Sequence, residues 1–184
     1  MNVRLVDIAI VGIFSALALA GAYLLLFVHN VEIFTAIIFL SGVLFGTRTG
    51  TLVGAISAAL YAIINPFGIS PLPLMVAQVV SRAVAGYVGG LFRDRVFTWK
   101  NSWLRAWCFG LAGFVLTWLY IALALLSNVL TAGFSLQQLK VSFAAGLISY
   151  TILTLGNTAI FALALPVVVD SLRKTSYFKP LRSS

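Results

Sequence analysis

Asp7, Glu32, Asp94, Asp170, His29 and Cys108 are the whole stock of acids, imidazole and thiol in this chain of 184 residues. Hydrolytic or metal chemistry needs such groups within reach of one another, and no two of them fall at metal-ligand spacing. The HExxH and GxSxG patterns are missing, as is the phosphate loop GxxxxGK[ST], and no Gly-Lys dipeptide occurs anywhere. The expectation is a protein that is not an enzyme, has no metal centre and needs no cofactor. Any ATP-driven work would fall to a partner. One cysteine allows no internal disulfide, so Cys108 reads as a packing residue.

What remains is binding, and the elements that must position the binding groups are apolar. Of all residues 61% are hydrophobic and only 9% charged, and the mean hydropathy is +1.08, a composition that cannot keep a soluble surface wet. The chain reads as an all-α integral membrane protein, one transmembrane domain over residues 1–184. About 18 apolar residues suffice to cross a hydrocarbon core of about 30 Å. Six runs are expected, over residues 5–28, 31–45, 49–64, 71–92, 103–126 and 139–169, followed by a basic tail at 170–184. The sixth run is long enough to break or to project from the bilayer. A signal peptide is the competing reading of the first run, but that run is longer than a signal core and its small residues lie inside it.

Charge fixes the expected orientation. With both termini in the cytoplasm, the inner segments hold Arg4, Arg48, Arg93, Arg95, Lys100, Arg105, Arg173, Lys174, Lys179 and Arg182, whereas the outer loops hold only Lys140. Such one-sidedness is the positive-inside signature, and it accounts for the net charge of +8 without nucleic acid. The segment RDRVFTWKNSWLRAW, residues 93–107, interleaves basic side chains with three tryptophans and suits an anionic headgroup layer.

Arg82 is the basic residue left over. It lies about eleven residues into the fourth run, roughly 16 Å along a helix axis, where a charge costs several kcal/mol unless it faces protein, water or ligand. Gln78 is one turn outward on the same face and Gly86 one turn inward. The sixth run carries a second stripe, Tyr150, Thr154, Asn157 and Thr158, at the spacing of one helix face. Trp118 and Tyr120 on the fifth run and Tyr61 on the third add aromatic surface for stacking or anchoring. Each stripe has a packing reading, an ion pair or interhelical hydrogen bond, beside the ligand reading. In HNVEIFT, residues 29–35, Asn30 reads as the cap of the second helix, and Glu32 in its first turn suits the positive end of the helix dipole.

Small residues recur every four positions at Gly12, Ala16 and Ala20, a face that admits another helix closely. Gly42, Gly46, Gly50 and Gly54 repeat the spacing across the turn FGTRTG, and internal packing is the expectation there. The connection NPFGISPLP, residues 65–73, should be fixed and compact. SNVLTAGFSLQQ, residues 127–138, is longer and contains Asn128, so it is the candidate lid.

The A-x-x-x-A pair at Ala16 and Ala20, together with NVEIFTAIIFLSGVLFGTRTGTLVGA, NPFG and AQVVSRAVAGYVGG, resembles the substrate-binding S component of energy-coupling factor (ECF) transporters over most of the chain. The resemblance implies an S-component-like bundle in the plasma membrane of a prokaryote, and a receptor for a vitamin or similar micronutrient. It also implies a transmembrane coupling subunit and two cytoplasmic ATPases as partners. The first-helix face of Ala16, Ala20 and Gly12 would meet the coupling subunit, and transport would involve toppling of the whole body in the lipid. The pocket would lie toward the outside, with Arg82, Gln78, Asn157, Glu32, His29, Tyr150, Trp118 and Asn128 as the expected solute contacts. The alternative is a scaffold or assembly subunit of a membrane complex, in which Arg82 and Asn157 serve packing alone.

Overall fold

The computed structural model describes residues 5–24, 33–96, 98–99, 101–133 and 135–173, and these are helical apart from short connections. The order is α1 (Leu5–Leu24), α2 (Phe34–Phe45), α3 (Thr47–Ile64), α4 (Leu72–Val96), α5 (Ser102–Ala132) and α6 (Leu136–Ala159). A π-helical turn at Ile160–Ala164 then runs on into α7 (Leu165–Arg173). Among the described residues, five helices are long and apolar enough to cross a membrane, the last being the continuous segment Leu136–Leu172 of 37 residues. The sixth apolar helix, α2, has only 12 residues.

That short helix differs from the expected span, and burial explains it. Nine of its residues, among them Phe34, Ile38, Phe39 and Val43, are buried, and it packs against α1, α3 and α4. A helix walled in by protein need not match the hydrocarbon thickness. It starts at Phe34 with Ile33 in the cap position and no side-chain cap bond, and Asn30, read as its cap, lies outside the described residues. It ends at Gly46, whose φ of +95° turns the chain directly into α3, a conformation that favours glycine.

The tightest packing in the bundle lies where α2 and α3 meet α4, and glycine makes it possible. A Cβ added at Gly50 would meet the Gly86 carbonyl oxygen, one at Gly54 the Arg82 carbonyl oxygen, and one at Gly89 the Phe39 carbonyl oxygen. The backbones are in contact, as small-residue faces allow in a membrane. Gly42, Gly50 and Gly54 thus pack internally. Gly12 has open space around it, and Ala16 and Ala20 are exposed beside it on the outer face of α1.

At the end of the bundle where α2 turns into α3, Phe39 is the hub of an aromatic core. Its ring centroid is 5.6 Å from Phe92, 5.6 Å from Phe109 and 5.1 Å from Phe161, joining α2, α4, α5 and the π turn. Such edge and tilted contacts add to the burial of each ring. The π turn precedes Pro166, which has no N–H to donate and whose ring would crowd the carbonyl four residues back. Widening the helix there relieves the crowding and sets Phe161, fully buried, into the core.

Arg105 departs from the headgroup role read for residues 93–107. Its side chain is buried and pairs with Asp170 of α7 at 2.8 Å, while Nη1 donates to the Trp99 carbonyl at 3.2 Å. One guanidinium therefore ties α5, α7 and the α4–α5 connection. Among the described residues, the exposed cations at this end are Arg48, Arg93 and Arg95.

At the opposite end, NPFGISPLP is a fixed turn. The Phe67 N–H donates to Asn65 Oδ1 at 3.0 Å and the Ser70 N–H to the Ala62 carbonyl at 3.0 Å. The expected lid at 127–138 is instead mostly helix, because α5 continues to Ala132 and α6 begins at Leu136. Ser127 and Thr131 donate their hydroxyls to carbonyls of their own helix, at 2.7 and 2.8 Å, which satisfies them without breaking it. Ser135 caps α6 through a bond from the Gln138 N–H at 3.0 Å.

The seam predicts opposite outcomes for two glycines. Gly86→Ala forces backbones apart at a cost of about 1–3 kcal/mol, seen as a drop of roughly 5 °C in the unfolding midpoint in detergent. Gly12→Ala, which adds a methyl to open space, leaves the midpoint unchanged or slightly raised.

Candidate functional site

Arg82 is 5% exposed, ten residues into α4, or roughly 15 Å along its axis. Its guanidinium carbon lies 4.5 Å from the centroid of the Tyr120 ring on α5 and 5.3 Å from that of Phe34 on α2. A cation held over two ring faces in a desolvated site gains up to about 2 kcal/mol from each. The rings extend into an aromatic wall, since Phe34 is 5.5 Å from Tyr61 and Tyr61 is 5.9 Å from Tyr23 of α1. Tyr23 in turn donates to the Ile64 carbonyl at 3.1 Å.

Backbone packing fixes the helix that carries the guanidinium. The carbonyl of Arg82 rests on Gly54, so α4 cannot move toward or away from α3 without losing the seam. Ser81, also buried, donates to the Gln78 carbonyl at 3.0 Å. Gln78 sits one turn from Arg82, 8% exposed, with its Oε1 buried and without a hydrogen-bond partner among the described residues.

The second stripe reaches the same helix. Asn157 of α6 is 2% exposed and donates from Nδ2 to Thr117 Oγ1 at 3.1 Å. Thr117 donates its own hydroxyl hydrogen bond to the Gly113 carbonyl at 2.7 Å. Thr117 and Tyr120 are three apart on α5, so this helix carries the contacts of both stripes on one face. The Asn157 Oδ1 is a second buried acceptor without a partner among the described residues. Buried amide oxygens ordinarily find a donor, and these two suit a bound molecule that brings N–H or O–H groups.

The remaining expected residues separate from this column. Trp118 faces the outside of α5, 38% exposed, with its ring 6.4 Å from Phe114. Asn128 is on an exposed face of α5. Tyr150 is half-buried, lies over Gly146 and packs 6.1 Å from Phe143 on its own helix. Thr154 is buried on the Asn157 side and donates to the Tyr150 carbonyl at 2.7 Å, whereas Thr158 turns toward an outer groove. His29 and Glu32 lie outside the described residues. Sequence reasoning missed Phe34 and Thr117. Thr117 had a signal, since it shares a helix face with Tyr120 and Gly113.

Membrane-length helices that gather a cation, aromatic rings and amide groups in their interior define a multi-pass membrane protein. The chain belongs to the substrate-specific components of ECF transporters, whose family profile matches residues 6–175, nearly its whole length. Members bind a small-molecule substrate, are not catalytic, and act with the components of the ECF module. No curated protein and no solved structure shows significant similarity to it.

The Asn157–Thr117 bond is testable by itself. Thr117→Val strands the Asn157 amide and should cost about 1–3 kcal/mol, whereas the Thr117→Val, Asn157→Leu pair should recover most of it. A double-mutant cycle on detergent unfolding should give a coupling of about 1 kcal/mol. Additive losses would mean that the two side chains do not interact.

Proposed function

We propose that this chain captures a polar micronutrient of the vitamin class from outside a prokaryotic cell and releases it inward with a transmembrane coupling subunit and two ATPases. In this reading six membrane segments place both termini in the cytoplasm. The clustering of exposed Arg48, Arg93 and Arg95 at one end supports it. The observation that carries the site is Arg82, buried in mid-helix against Tyr120 and Phe34.

Arg82 supplies a charge for an anionic or strongly electronegative group of the solute, and the rings bracket its planar part. Gln78 and Asn157 accept hydrogen bonds from its donors. Glu32 and His29, close in sequence to Phe34, are proposed as rim contacts, and Tyr150 as a contact from α6. Trp118 and Asn128, on exposed faces, are the weakest of the expected contacts. Gly12, Ala16 and Ala20 form the face for the coupling subunit, supported by their common exposure on α1.

The test begins with mass spectrometry of small molecules released from the gently purified chain, which should identify one solute in about equal amount to protein. Arg82→Ala should then weaken it by about ten- to a hundred-fold, the loss of a charge-assisted contact. Gln78→Leu should weaken it less with the fold intact. Full affinity in both variants, or repeated recovery of a stable structural partner and no solute, would point to a scaffold instead. Ala16→Trp should leave solute affinity unchanged and abolish uptake by the assembled transporter.

A further inference from the structure

A groove of about 650 Å³ lies on the outer surface between α5 and the α6–π segment. Its floor is made of small residues, Ala106 and Gly110 from α5 and Ala162 from the π turn. Gly110 brings the helices together there, since a Cβ on it would stand 3.2 Å from the Ala162 Cβ. The walls are large and exposed: Trp103 at 75%, Trp107 at 72%, Leu111 at 64% and Leu163 at 70%. Small residues flanked by tall ones on a hydrocarbon-facing surface leave a trough, and the π turn supplies one of its sides.

The groove's length and position select the occupant. It runs along α5 from Trp103 to Phe114, about 16 Å at 1.5 Å per residue, which is the depth of one leaflet of a hydrocarbon core of about 30 Å. It opens at the end of the bundle where Arg93 and Arg95 are exposed at the close of α4. Lys100 precedes Trp103 by three residues in the sequence. Cations there complement an anionic headgroup, and indoles at the boundary sit at headgroup level. The small-residue face of α1 lies on a different flank, because α1 packs on α2 and α3 whereas the groove belongs to α5 and α6. A subunit docked on α1 would therefore leave the groove facing lipid.

We infer that this groove holds one acyl chain of an anionic phospholipid from the leaflet at the basic end of the bundle, with the headgroup on the neighbouring cations. The site is separate from the solute column and does not depend on what that column binds. The seated chain covers the Gly110–Ala162 contact and so completes the outer wall of α5, the helix that carries Thr117 and Tyr120.

The full chain, reconstituted in vesicles of equal phosphatidylglycerol and phosphatidylcholine and gently extracted, should retain one phosphatidylglycerol per protein by native mass spectrometry. Ala106→Phe, which fills the floor, should lower its retention about ten-fold, the effect of unburying a couple of methylenes. Trp107→Ala, which removes a wall without adding bulk, should lower it too, and serves where Ala106→Phe fails to fold. Arg82→Ala should retain the lipid fully, which keeps this site's test apart from that of the solute. Equal retention of both lipids by the wild type would overturn the inference, as would unchanged retention in folded Trp107→Ala. A crosslink from position 107 to the coupling subunit in the assembled transporter would also overturn it, assigning the groove to a protein helix.

Discussion

The contact on which the rest depends is the one between the α3 and α4 backbones. With no hydrophobic drive between helices inside a bilayer, close van der Waals packing must supply the association. Here the carbonyls of Gly50, Arg82 and Gly86 lie against glycines of the facing helix. The seam leaves α4 one permitted register on α3. That register decides which α4 residues point inward, and Gln78, Ser81, Arg82 and Ala85 all become buried. A single side chain added along the seam would shift the polar column as a unit.

Fixing Arg82 in the interior creates a second problem, the cost of a desolvated cation. The structure meets part of it with ring faces. Tyr120 and Phe34 act on its face through their quadrupoles. Arg105 is a second buried guanidinium in the same chain, held by Asp170 and the Trp99 carbonyl. Arg105 joins helix ends, whereas Arg82 lies among the rings of the proposed solute site.

Much of this was legible in the sequence, for reasons that can be named. Apolar runs reveal helices that must face lipid, and a repeat of four reveals the glycine seam. An arginine in mid-run declares its own burial, so the Gln78–Arg82 face was readable. The short α2 was less so, because a helix surrounded by protein carries no length requirement. Residues 127–132 read as loop since Ser127, Asn128 and Thr131 are polar, yet the two hydroxyls bond carbonyls of their own helix. The Arg105–Asp170 pair joins positions 65 apart, and no local pattern encodes a contact of that range. Trp118 and Tyr120 looked equivalent in sequence; the 100° step of a helix sends one to lipid and the other to Arg82.

The two ends of the bundle differ in what they would let pass. Between Arg82 and the basic end stand Phe39, Phe92, Phe109 and Phe161 in mutual contact, about 15 Å further along α4 by the ten residues from Arg82 to Phe92. Below them the Arg105 clasp joins the helix ends. A polar solute moving straight through would have to part a close-packed aromatic core and abandon every donor on the way, a cost that packed interiors do not yield gradually. A solute held at Arg82 therefore leaves by the end it entered unless the whole bundle is reoriented. An exterior that is apolar along its flanks would offer little resistance to such reorientation in lipid, and the exposed small-residue face on α1 is the grip proposed for a partner.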